Sequence, residues 1–304
     1  MQRARAEYDK LLKSLDGEAR QILSAFLAKI EALINAGGFS VNDLHKLSDE
    51  LHQQVHDMIK TKSVIAIDFA KKVKAADFTP YLAQVQRLLV ARNVAKPIIE
   101  EATSLNRISL VFGGGLDDKI LEAVWNKVWP DALNVDDRIK LLSKKAIKFT
   151  EMTVKQGISE GRSAADISKD LRQHFEVEGV ERKAAFRLAA HTTNMCYQEA
   201  QAEISVSANF VMGIRINRGV YGPASENCDI CEEHGGPADG DGKEYRKSDF
   251  GGDDVDMYVM ANMPGYHPNC NCRVETIYED AATFVKNALL DTKGSSSHSG
   301  WKLS

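Results

Sequence analysis

The chain has 304 residues, 43% hydrophobic, 27% charged and 7% aromatic, with a formal net charge of −4. That is enough apolar material for a sizeable core and too little charge bias for wholesale disorder or a uniformly basic nucleic-acid binder. No run of about 18 apolar residues reads as a membrane span, and the charged opening Met1 to Lys10 lacks a following apolar stretch, which argues against a secretory signal.

The first 205 residues or so read as helix after helix. Leu15, Ala19, Ile22, Leu23, Phe26, Ile30 and Leu33 recur mostly at helical steps and predict one amphipathic face, ended by Gly37-Gly38 as a left-handed cap. Ser40 with Asp43 has the form of a capping box, and Leu44, Leu47, Leu51, Val55 and Met58 carry the next face. Thr79-Pro80 reads as a further helix start, with Pro at the first helical position. After a break at Gly113–Gly115, Asp117 opens a helix through Leu121, Val124, Trp125 and Val128. Asn134 or Asp136 opens another through Ile139, Leu142, Ala146 and Phe149, and Ser163 with Asp166 a short one through Ile167 and Leu171. A long helix is expected from about Val180 to Ile204.

The texture changes near Ser205. Phe210 to Asn217 and Cys272 to Tyr278 are rich in β-branched and aromatic residues and read as strands. Between them, residues 226–256 are Gly- and Asp-rich and carry about −8, which leaves about +4 on residues 1–225. Gly294 to Gly300 is a low-complexity tail, followed by Trp301, a candidate aromatic anchor.

Four of the five cysteines fall in one short stretch: Cys228-Asp-Ile-Cys231, then His267-Pro-Asn-Cys270-Asn-Cys272. C-x2-C turns two thiolates toward one ion, and a second pair from a distant loop completes a tetrahedral site. Sulfur and imidazole donors select Zn²⁺ over hard cations. Cys228, Cys231 and His267 are the first three candidate ligands. The fourth is Cys270 or Cys272, with Cys270 slightly preferred and His234 a weaker rival. A redox pair is the competing reading of C-x2-C, but the motif sits between a Gly-Pro turn and a Gly/Asp-rich loop rather than between a strand and a helix. Four protein ligands leave no position for water, so the expected role is structural, one Zn²⁺ per chain.

Other motifs fail. Asp239-Gly-Asp-Gly lacks the Gly and Glu a calcium loop needs at its sixth and twelfth positions, where Glu244 and Phe250 stand. Gly113–Gly115 lacks the Lys-Ser/Thr of a phosphate loop. His45, His52 and His56 share one helical face and read as polar surface, and His191 as a polar packing residue. The expectation is a mainly α fold: an N-terminal helical region (1–130), a helical core (131–205), a small zinc-stapled α+β subdomain (206–280) and a C-terminal tail (281–304).

Gly161-Arg-Ser163 ahead of a short helix, Arg187 to Asn194 on a helix, and then C-x2-C and HPNCNCR resemble the phage Mu F-like head morphogenesis family, the phage minor head proteins. That family ends in C-x2-C, a loop closing in Gly and Pro, then H-P-x-C-R-C. Cys228, Cys231, His267, Pro268, Cys270 and Cys272 stand at the matching positions, with Asn271 in place of the family's Arg and Arg273 following. Leu133 to Arg138 resembles the stretch before the family's helical core, so the likeness covers roughly residues 130–276. It implies a structural virion component rather than an enzyme, in the head and in the host cytoplasm during assembly. Its implied partners are the portal protein and the major capsid protein, with non-specific contact to packaged DNA and no membrane. Its implied role is in head assembly and DNA packaging or delivery. A zinc-containing nucleic-acid-binding module is the alternative, against which the acidic 226–256 segment argues, since phosphate contacts need Lys and Arg.

Overall fold

The computed structural model describes residues 2–37, 40–104, 115–129, 131–218, 229–236, 241–250 and 272–291. Among them the protein is mainly helical with a small three-stranded antiparallel sheet. The helices are α1 (Gln2–Asn35), α2 (Val41–Ala91), α3 (Lys96–Ala102), α4 (Leu116–Asn126), α5 (Val135–Ser159), α6 (Ala164–Arg172), α7 (Val180–Ser207), α8 (Asp229–Gly235) and α9 (Ala281–Asp291). The strands are β1 (Val211–Asn217), β2 (Lys243–Arg246) and β3 (Arg273–Tyr278).

The predicted stripe of α1 is its core face: Leu15, Ala19, Leu23, Phe26 and Ile30 are buried, with Ile22 and Leu33 half-buried beside them. Gly37 ends the turn after it at φ +67°, the left-handed region glycine reaches without a Cβ clash. Capping boxes start three helices. Ser40 and Asp43 open α2, Asn134 and Asp137 open α5, and Ser163 and Asp166 open α6. In each, a side-chain oxygen takes the backbone N–H three residues on, and the Asp returns the bond to the cap's own N–H. A π-helical turn over Gln173–Glu178 joins α6 to Gly179, which reverses the chain into α7 at φ +58°.

Pro80 does not start a helix. It lies inside α2, which runs unbroken for 51 residues. Proline removes the N–H that would bond the Ala76 carbonyl and crowds the preceding turn. Burial outweighs this. Phe78 is fully buried, its ring edge-on to Phe210 at 5.1 Å, and Tyr81 stacks on Phe210 at 4.9 Å and Tyr278 at 5.1 Å. The Thr79 hydroxyl also donates to the Ala75 carbonyl at 2.8 Å. The helix expected through Val128 stops at Asn126, with Val128 60% exposed and Trp129 turned into the core.

α7 is the centre. It packs on α1, α2, α4 and α5, and nearly every residue from His191 to Val206 is buried. The sheet has the order β2–β1–β3 and both pairings are antiparallel, with Ile214 between Tyr245 and Thr276. The two expected strands are thus present and paired, and β2 is a third. One face of the sheet lies on the end of α7: Ile214, Ile216, Tyr245 and Val274 form a small core with Ala202 and Val206. The first part of the expected tail is instead α9, which packs on α2 through buried Ala281, Phe284 and Val285. Residues 292–304, with the low-complexity stretch and Trp301, lie outside the described residues. No helix among the described residues is long and apolar enough to cross a membrane.

Candidate metal centre

Two of the five candidate ligands fall on described residues. Cys231 lies on α8, 3% exposed, and Cys272 immediately precedes β3, 1% exposed. The fold brings both into the small core beneath the sheet. Cys228, His267 and Cys270 lie outside the described residues. Among the described residues no group of three or more His, Cys, Asp and Glu is placed to hold a metal ion.

The elements that carry the two cysteines are anchored by polar bonds. The Tyr245 hydroxyl of β2 donates to the His234 carbonyl at 2.9 Å, and Lys243 Nζ donates to the Glu233 carbonyl at 2.8 Å, so two carbonyls near the end of α8 are satisfied from the sheet. Arg218, almost wholly buried, reaches Glu232 at 3.3 Å. His234, the rival ligand, is half-buried on this same helix. On the other side, the Val274 N–H donates to Gln198 Oε1 of α7 at 3.1 Å. Lys74 of α2, 1% exposed, donates to Thr276 Oγ1 at 2.7 Å, and that oxygen is 2.9 Å from Ser205 Oγ. The strand that follows Cys272 is therefore tied to the helical body at successive inward positions. Burial raises the Tyr245 hydroxyl above its usual range, with Glu233 and Cys272 adding to the effect.

Two buried thiols delivered from separate elements are the soft donors Zn²⁺ selects, and they suit it better than a hard cation. Cys196, the fifth cysteine, belongs elsewhere. It is buried in α7, and burial pushes its thiol up to about 12, which makes it inert packing.

The histidines do not gather into a second centre. His52 and His56 have nearly parallel rings 6.4 Å apart. His52 Nε2 is 3.2 Å from Asp136 Oδ1 of α5, and His56 meets Trp125 of α4 edge-on at 5.7 Å. They sit at a junction of three helices rather than on an open polar face, while His45 is exposed. His191 is buried with its ring 5.4 Å from Trp129. The sequence reading missed the buried ionisable residues Lys74 and Glu199, which nothing in their local pattern distinguishes from surface charges.

No family model, curated protein or solved structure matches the chain.

Proposed function

We propose that the protein is a structural minor head protein of a tailed bacteriophage, associated with the portal and the capsid interior, with a zinc-stapled C-terminal subdomain. The observation that carries the reading is the pair C-x2-C and H-P-x-C-x-C at residues 228–231 and 267–272. The burial of Cys231 and Cys272 in one core supports it. In this reading Cys228, Cys231, His267 and one of Cys270 or Cys272 hold a single Zn²⁺. A metal closed in by four protein ligands supplies folding free energy rather than catalysis. The segment it staples is rich in Gly and Asp and poor in apolar residues, so it gains most from such a cross-link. The long helical body offers the docking surface for the portal protein and the major capsid protein.

The test is mass spectrometry of purified virions, together with a native mass spectrum of the protein with its portal protein, with metal content read from the same sample. The expected result is the protein in the head, one Zn²⁺ per chain, and a portal complex. Its absence from virions would refute the role, and zinc-free protein would refute the staple.

A further inference from the structure

A strongly charged surface lies along α5. Between Arg138 and Lys148 this helix carries five cations and no carboxylate. Lys140 is held by Asp136 at 2.5 Å and Arg138 by Asp131 at 2.5 Å. Lys144, Lys145 and Lys148 are exposed, and so is Arg187 on the neighbouring α7; among the described residues none of these four has a carboxylate within ion-pair distance. The two helices enclose a groove of about 290 Å³, in which Arg138, Leu142 and Lys145 on one wall face Arg187, Leu188 and His191 on the other. Leu142 and Leu188 are largely buried, so apolar side chains and cations together line it. Arg138 is fixed in place: its guanidinium lies 4.2 Å from the centre of the Trp129 ring, and its buried Nε has no acceptor among the described residues.

We infer that this groove and the cation row beside it bind the phosphodiester backbone of a nucleic acid without reading its bases. Cations left without counter-charges repel one another, and a polyanion relieves that cost. Residues 138–148 span about 15 Å of helix axis, over which one strand of a duplex carries about four phosphates. Both walls are helices whose backbone groups are bonded internally. They offer no strand edge for an extended acidic peptide, and this favours nucleic acid over peptide. From Arg138 to Lys148 there is no Asn or Gln to pair adenine and no Asp or Glu to pair cytosine, so the ligand meets chiefly Arg and Lys, the side chains that serve phosphates. The inference stands on the groove and not on the head-protein reading, so the virion measurement above and the binding measurement below fail separately.

The test is fluorescence anisotropy of the full chain with a labelled duplex of arbitrary sequence over a salt series. Four phosphate contacts predict a slope of log K against log salt of about −3 to −4. The double variant Lys145→Ala, Arg187→Ala should be shallower by about two. Lys10→Ala with Lys13→Ala, which removes the same charge from exposed positions of α1, should leave the slope unchanged. Absence of duplex binding, equal slopes for the two double variants, or displacement by a poly-glutamate peptide at matched charge would each overturn the inference. So would a mononucleotide that binds as tightly as the duplex.

Discussion

Gly213 stands in β1 close against β2: a Cβ there would lie 2.1 Å from the Tyr245 carbonyl oxygen and 2.8 Å from Arg246 Cα. Backbone cannot step aside as a flexible side chain would, so Gly213→Ala must push β2 off the sheet. The expected loss is about 2–3 kcal/mol in denaturant unfolding. Gly17, inside α1, has nothing within 4 Å of that position. Gly17→Ala should instead stabilise the protein by about 0.5–1 kcal/mol. Glu199 of α7 gives a pH dependence. It is 4% exposed, and burial raises its carboxyl from 4.5 to about 8; Glu203 pushes the same way, and Lys127 and Lys119 oppose. The folded chain therefore binds this proton more tightly than the unfolded chain across that window, and stability falls as pH rises from about 4.5 to 8. Glu199→Gln should flatten the decline and melt above the natural protein at the alkaline end of the window. An unchanged slope in thermal melts across it would assign the decline to other groups.

At the scale of elements, what was legible followed local physics. The stripe of α1, the starts Ser40 with Asp43 and Ser163 with Asp166, and the β-branched runs of β1 and β3 each depend on residues a few positions apart, and each is present. The start of α5 was narrowed to Asn134 or Asp136, and the capping box is Asn134 with Asp137. What was illegible depends on distant partners. β2 is an edge strand of four residues in which only Tyr245 is buried, so its sequence KEYR carries no alternation to detect. α8 is seven residues long and shows no helical period. Pro80 misled because its cost is local while the compensating burial comes from Phe210, Tyr278 and their neighbours more than 100 residues away. The candidate site divides likewise: spacing named five candidate ligands for four places, and the fold places Cys231 and Cys272 in one core. Pro80→Ala would restore an N–H toward the Ala76 carbonyl and should raise stability by about 1 kcal/mol. A lower melting temperature would mean that Pro80 itself is needed to seat Tyr81 against Phe210 and Tyr278. Asn134→Ala should cost about 1 kcal/mol by leaving the Asp137 N–H of α5 without its cap, with Asn134→Asp close to neutral.

Among the described residues there are two apolar cores of unequal size. The larger gathers residues from Tyr8 to Val285 without regard to chain order, so α1, α2, α7 and α9 stand or fall together. The smaller joins the sheet, α8 and the end of α7, and both described candidate ligands are in it. Its eight described buried residues, two of them cysteines, are a small store of hydrophobic free energy. A metal held by Cys231 and its partners would add to it directly, because the ligands are not preassembled in the unfolded chain. The larger core has no such dependence. Cys228→Ser, or treatment with a strong chelator, should therefore release one Zn²⁺ and raise hydrogen exchange in β1, β2 and β3. The helices of the body should stay protected, with their far-ultraviolet signal nearly intact. Where Lys74 and Gln198 tie β3 to the body, exchange should rise least, since those bonds are made to α2 and α7 and not to a candidate ligand. A chelator that leaves exchange in the sheet unchanged would show that the small core holds itself. Loss of the helical signal as well would show that the two cores unfold as one.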